Sequence, residues 1–103
     1  MVLVAHLDDR PVGCGALKAG RTRPPEIKRL WVDPDARGLG VGRRLLGELE
    51  ERARVSGSRT VRLDTNRALV EAIALYRATG YVAVSPFNDE TYADFWFSKR
   101  LRK

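Results

Sequence analysis

The residues with the most chemical content are Arg37-Gly38-Leu39-Gly40-Val41-Gly42, which run directly into Arg43-Arg44-Leu45-Leu46. Three glycines in six residues cost backbone entropy and call for a reason, and close approach of the backbone to a ligand is one. Ahead of them, Ile27 to Val32 reads as a strand that Asp33-Pro34 stops. A strand, a glycine turn and a helix N-terminus together make an anion site. The first N–H groups of a helix have no partner within it, and the helix dipole adds positive potential. The chemistry implied is the binding of something phosphorylated.

Two other side chains invite a reactive reading, the single histidine His6 and the single cysteine Cys14. A two-residue turn between their strands gives odd sums for cross-strand pairs, which places the two on opposite faces. A Cys-His pair is therefore not expected, and Cys14 reads as core packing.

The elements that must position the glycine turn follow from periodicity. Val2 to Leu7 and Val12 to Leu17 are strands joined through Asp8-Asp9-Arg10-Pro11, and Gly20 to Pro25 is a loop. Glu26 to Val32 is the third strand. From Gly40 a helix carries an apolar stripe of Val41, Leu45, Leu46, Leu49 and Ala53, with Glu48/Arg52 and Glu50/Arg54 spaced as ion pairs, and Gly57 stops it. Thr60 to Asp64 is a fourth strand. Asn66 can cap a second helix over Arg67 to Thr79, with Leu69, Ala72, Ile73 and Tyr76 on one face and Gly80 at its end. Tyr81 to Val84 is a short strand, Ser85 to Glu90 a polar loop, and Tyr92 to Leu101 a last, aromatic strand. The order β-β-β-α-β-α-β-β predicts an α/β mixed sheet, mostly antiparallel, with the two helices covering its faces.

A chain of 103 residues, 44% hydrophobic and 31% charged, supports one domain over residues 1–103. No run is long enough to span a membrane and no signal-peptide pattern starts at Met1, which makes the cytoplasm the default compartment. A lone cysteine leaves no internal disulfide and no zinc cluster, so no metal is expected. The net charge of +6 raises nucleic-acid binding as a reading. The arginines are scattered, apart from Arg43-Arg44 and the tail Lys99 to Lys103, and no aromatic RNA-binding strand accompanies them. A solvated basic surface that suits a polyanionic ligand is the better reading.

Three glycine motifs then separate. A P-loop needs Gly-Lys-Ser/Thr, whereas Gly42 is followed by Arg43-Arg44. The dinucleotide fingerprint needs a glycine where Arg43 stands. What remains, Arg37-x-x-Gly40-x-Gly42, resembles the acetyl-CoA signature of the GNAT N-acetyltransferase superfamily. The strand Glu26-Ile27-Lys28-Arg29-Leu30-Trp31-Val32 resembles the one that enters this motif. Ala72-Ile73-Ala74-Leu75-Tyr76, then Gly80-Tyr81, resembles the family's second motif. The resemblance covers nearly the whole chain.

It implies an acetyl-CoA-dependent N-acetyltransferase that acts on a primary amine by direct attack in a ternary complex. The CoA pyrophosphate would lie on the N–H groups of Gly38, Leu39, Gly40, Val41, Gly42 and Arg43, with Arg37 and Arg43 adding charge. The pantetheine arm would lie beside Leu30, Trp31 and Val32, and the Leu30 N–H would hold the thioester carbonyl. Tyr76 matches the tyrosine beside the CoA sulfur. Glu26 matches a general-base position; on a regular strand it faces the same side as Leu30 at about 13 Å, so water would relay the proton. The family's usual first strand and two helices are not matched, and Leu69 stands where an asparagine is common. These departures leave three expectations: a minimal member, a lost start, or a partner that completes the acceptor site. A non-catalytic acyl-CoA-binding module or subunit is the alternative reading. The aromatic residues Tyr92, Phe95, Trp96 and Phe97 suggest a homodimer.

Overall fold

A computed structural model describes residues 1–20 and 22–102, so Arg21 in the first long loop and Lys103 in the basic tail lie outside the described residues. The strands are β1 (Val2–Leu7), β2 (Arg10–Lys18), β3 (Glu26–Val32), β4 (Thr60–Thr65), β5 (Val82–Val84) and β6 (Phe95–Arg100). The helices are α1 (Val41–Val55) and α2 (Val70–Ala78), in the expected chain order; a 3-10 turn at Pro34–Ala36 is additional. One six-stranded sheet runs β1-β2-β3-β4-β6-β5, and only the β3/β4 pair is parallel. Among the described residues, no helix is long and apolar enough to cross a membrane.

Both helices pack on the same face of the sheet, not one on each. Leu46 and Leu49 of α1 and Tyr76 of α2 share one core with Ile27, Val61, Leu63 and Phe97. The alternation along β4 explains the choice. Val61, Leu63 and Thr65 point to the helices and are buried, while Arg62 and Asp64 point to the opposite face. That opposite face is polar at its centre, and residues 85–94 cover it. Phe87 lies under the Arg62 guanidinium at 4.1 Å, and Asn88 and Tyr92 hydrogen bond to Asp64.

The first hairpin turns through Asp8 and Asp9, both at positive φ (50° and 64°), the conformation of a type I′ turn. β2 therefore starts at Arg10, two residues earlier than expected. Its register slips between Ala5 and His6: His6 pairs Pro11, but Ala5 pairs Gly13 and Val4 pairs Cys14. The extra residue is a bulge in β2, at a proline that has no N–H to give to the ladder. The slip makes the pair sums even beyond it. His6 and Cys14 thus share a face, contrary to expectation, and Cys14 is only half-buried, on the face away from the helices, not in the core.

Helix ends follow the glycines. Beyond α1, Gly57 has φ +100°, and the Ser58 and Gly57 N–H groups donate to Ala53 and Arg54 carbonyls, both at 3.0 Å. Beyond α2, the Tyr81 N–H donates to the Tyr76 carbonyl at 3.0 Å while their rings meet at 5.6 Å. α2 itself begins at Val70 and not near Arg67, because the Asn66 side chain turns the chain by accepting from the Ala68 N–H. Glu50 does not pair with Arg54. It accepts from the Tyr81 hydroxyl and Lys99 Nζ, and Arg54 turns to Glu51. β6 starts at Phe95 rather than Tyr92 and lies between β4 and β5. Phe97 is buried there, Trp96 Nε1 donates to Asn88 and the Tyr92 hydroxyl donates to Asp64, so three of the four aromatic residues that suggested a dimer are used within the chain.

Candidate active site

The site begins with an irregularity in β3. Cys14 pairs Trp31, but two residues on, Ala16 pairs Lys28, so β3 spends one residue more than β2. Arg29 absorbs the excess at φ +55°, a left-handed conformation that costs a non-glycine residue about 1 kcal/mol. β3 consequently bends away from β4. The two strands pair only at Glu26/Arg62 and Ile27/Leu63. Beyond that point the β4-facing edge of Leu30, Trp31 and Val32 is unpaired, and Leu30 has no partner in either ladder.

Two cavities fill the gap. The first, about 620 Å³, is lined by Leu30, Trp31, Val32, Arg37, Gly38, Gly40, Val41, Gly42 and Arg43 on one side. Leu69, Val70, Glu71, Ala72 and Leu75 of α2 and its approach form the other side. It thus gathers every expected ligand-binding residue except Leu39, which is 62% exposed and lines a different surface beside β1. The second cavity, about 530 Å³, is lined by Lys28, Leu30, Asp64, Thr65, Leu69, Tyr76, Glu90 and Tyr92 among others. Leu30 and Leu69 line both, so the cavities meet there.

The three glycines have two different reasons. Gly38 and Gly40 stand at positive φ (83° and 78°) with open space where a Cβ would be. Gly42 is a packing residue: its Cβ would come 3.0 Å from Leu75 Cδ2, so it sets how closely α1 passes α2. As N-cap of α1, Gly40 offers no side chain to the first turn, and no acidic residue stands in that turn. The turn's N–H groups and dipole are left facing the cavity without a competing anion. On the rim, Arg37 spans to Glu71 through Nε and a terminal nitrogen, at 2.8 and 2.9 Å.

Tyr76 is 5% exposed and lines the second cavity. Burial, aided by the negative charge of Asp64, pushes its phenol up to about 12, so it is a neutral hydrogen-bond donor. Glu26 lines neither of these cavities, and the extra residue at Arg29 breaks the expected alternation. Glu26 faces the 85–94 segment, where Asn88 donates to it at 3.4 Å, while Leu30 packs against the helix-side core. The Glu26 carboxylate lies 3.2 Å from Lys28 Nζ and 3.7 Å from Arg62.

The residue that sequence reasoning missed is Asp64. Its side chain is 1% exposed, although alternation with Val61 and Leu63 puts it on the sheet face away from the helices. Oδ1 accepts from the Tyr92 hydroxyl at 2.6 Å; Oδ2 accepts from Asn88 at 2.7 Å and from Lys28 at 3.0 Å. Burial opposes its charge, but these donors outweigh that and hold the carboxyl below its usual range. Burial opposes the charge on Lys28 too, and the hydrogen bonds to Asp64 and Glu26 again win, which holds the ammonium above the usual lysine range. The one available signal was the set Lys28, Arg62 and Asp64 on a face that otherwise had no cover. Thr65, also in the second cavity's wall, carries a buried hydroxyl oxygen without a hydrogen-bond partner among the described residues.

Chemically, the arrangement joins a helix N-terminus without a side-chain cap to an open strand edge and ends at a phenol in a part-polar chamber. It suits a long ligand with a phosphorylated end, an amide-bearing arm and a reactive tip.

Residues 1–83 match the family model described as the acetyltransferase (GNAT) domain. The IAA acetyltransferase of Azospirillum brasilense is 41% identical over 87 residues, 84% of this chain and 57% of that protein. The PaiA N-acetyltransferase of Thermoplasma acidophilum, solved in complex with coenzyme A, is 25% identical with a TM-score of 0.82. The alignment covers 97% of this chain and 60% of that one. A GNAT-family acetyltransferase of Staphylococcus aureus has the same fold at a TM-score of 0.90 and 18% identity, covering 98% and 68%.

Proposed function

The chain belongs to the GNAT acetyltransferase family, and we propose that it moves an acetyl group from acetyl-CoA to a primary amine (of a small molecule, amino acid or peptide) by direct attack in a ternary complex. It spans 57% of the length of the Azospirillum relative, so the activity is argued from this chain's own groups. The observation that carries it is the unpaired edge of β3, which runs from the glycine turn to the junction beneath Tyr76.

Acetyl-CoA supplies an activated thioester. The N–H groups of Gly38 and of Gly40 to Arg43 suit its pyrophosphate; the Leu39 N–H instead donates to the Ala36 carbonyl at 3.4 Å. The edge at Leu30, Trp31 and Val32 suits the amides of its arm, which would add as a short strand. Leu30 stands outside the register of both ladders, and its N–H is the donor suited to stabilise the oxyanion formed as the amine attacks. Tyr76 hydrogen bonds the departing thiolate. With a phenol near 12 and a thiol near 8.5, full proton transfer would be uphill by about 5 kcal/mol, so the hydrogen bond itself is the contribution.

The amine's proton leaves through water towards Glu26. That carboxylate lies outside both cavities and is paired with Lys28 and Arg62, which fits a relay terminus better than direct abstraction. The same observation favours a second reading, an acyl-CoA-binding module or subunit that needs a partner for turnover. Thiol release from acetyl-CoA with a panel of amines separates the two. Amine-dependent release supports the transferase; binding without release across the panel supports the module.

A further inference from the structure

Between β5 and β6 the chain has only to reverse between neighbouring antiparallel strands, which two residues can do. It instead sends residues 85–94 across the polar face of the sheet. The excursion ends on one group, the buried carboxylate of Asp64, which takes the Tyr92 hydroxyl at 2.6 Å and the Asn88 amide at 2.7 Å. Lys28 completes the set from β3. The two segment residues are themselves tied down: Asn88 accepts from Trp96 Nε1 at 3.0 Å, and the Tyr92 carbonyl accepts from the Asn66 amide at 2.8 Å. A carboxylate this buried is tolerated only when its hydrogen-bonding capacity is met. Two of its donors arrive with the segment, so closing the segment and satisfying the charge are one event.

Resting on the transferase reading above, we propose that the amine enters the second cavity, whose wall carries Leu30 and Tyr76, and that Asp64 is its positioning residue. Its carboxylate fastens the 85–94 segment to the sheet, and Tyr92 and Glu90 thereby form the outer wall of the chamber the amine enters. Asp64 does not take the amine's proton. Its oxygens are occupied by Tyr92, Asn88 and Lys28, and it holds the wall's shape instead.

The test compares the wild type with Asp64→Asn and Tyr92→Phe. Expected for Asp64→Asn is a rise of about tenfold or more in KM for the amine, with kcat within about threefold and the acetyl-CoA Kd unchanged. Amide hydrogen exchange should quicken within 85–94 and not in α1. Tyr92→Phe, which leaves the Asp64–Lys28 pair in place and guards against a misfolded first variant, should shift both readouts the same way by less. A fall in kcat at constant KM, or unchanged exchange in 85–94, overturns the proposal. If the wild type acetylates no amine, the transferase reading fails by itself, and the exchange measurement still decides whether Asp64 fastens the segment.

Discussion

Arg37 and Glu71 form a two-point ion pair, at 2.8 and 2.9 Å, that joins the loop before α1 to the first turn of α2 across the rim of the first cavity. Both side chains are more than half exposed, so the pair adds less than about 1 kcal/mol to stability. Its consequence is for the ligand, because Glu71 competes with phosphate for the guanidinium. Glu71→Gln should leave the Tm unchanged and tighten acetyl-CoA binding by about two- to fivefold; Arg37→Gln should weaken it by up to about tenfold. Titration calorimetry reads both, and looser binding in Glu71→Gln would contradict the competition.

Thr65 is 3% exposed and its hydroxyl has no hydrogen-bond partner among the described residues. A buried polar group left unpaired costs about 1–3 kcal/mol, and valine keeps the shape without the hydroxyl. Thr65→Val should therefore stabilise the fold by about 1 kcal/mol, a rise of roughly 4–8 °C in Tm. A lower Tm in a thermal melt would mean that the hydroxyl is satisfied in the fold.

Stability should be level between about pH 5 and pH 10 and fall on both sides. Asp64 is held below the usual carboxylate range, so its contribution is present above the unfolded value and is lost as pH falls through the folded one. Lys28 is held above the lysine range; its contribution is present below the unfolded value and is lost as pH rises through the folded one. Urea midpoints across pH measure this, and Asp64→Asn should flatten the acid limb. An unchanged acid limb in that variant would remove Asp64 from the explanation.

Tyr76→Phe deletes the phenol and keeps the ring that packs on Tyr81 and Phe97. With the hydroxyl acting as a hydrogen-bond donor to the thiolate, kcat should fall by roughly ten- to a hundredfold. Its pH profile below about 10 should keep its shape, because a phenol near 12 does not titrate there. A basic limb that disappears in the variant would show that the phenol gives up its proton.

Much of this was legible in the chain. The glycine turn, the apolar stripe of α1 and the Leu-Tyr end of α2 are local signals, and they are enough to put the turn on the wall of the first cavity and Tyr76 on that of the second. The bulge at Arg29 was not, because no glycine marks that left-handed position and the strain is imposed by the β2 ladder. Asp64 read as a wet strand residue because alternation reports which face a side chain takes, not what later covers that face. Its cover is the segment from Asn88 to Tyr92, which locally is only a polar loop. Gly42 was grouped with its neighbours as a ligand glycine, although contact with Leu75 is its own constraint.

The most direct measurement is acetyl-CoA binding by the wild type and Gly40→Asp, followed by calorimetry. Gly40 has open space around its missing Cβ, so the variant pays only the strain of a left-handed aspartate, about 1–2 kcal/mol, and folds. Gly42→Asp is the poorer choice, because it also disturbs the α1–α2 contact. A carboxylate at the N-cap of α1 satisfies and neutralises the turn that should receive the pyrophosphate. The wild type should bind and Gly40→Asp, still folded by its thermal melt, should lose acetyl-CoA affinity by about a hundredfold or more. Equal affinity in the two proteins would contradict the placement of the pyrophosphate on this turn.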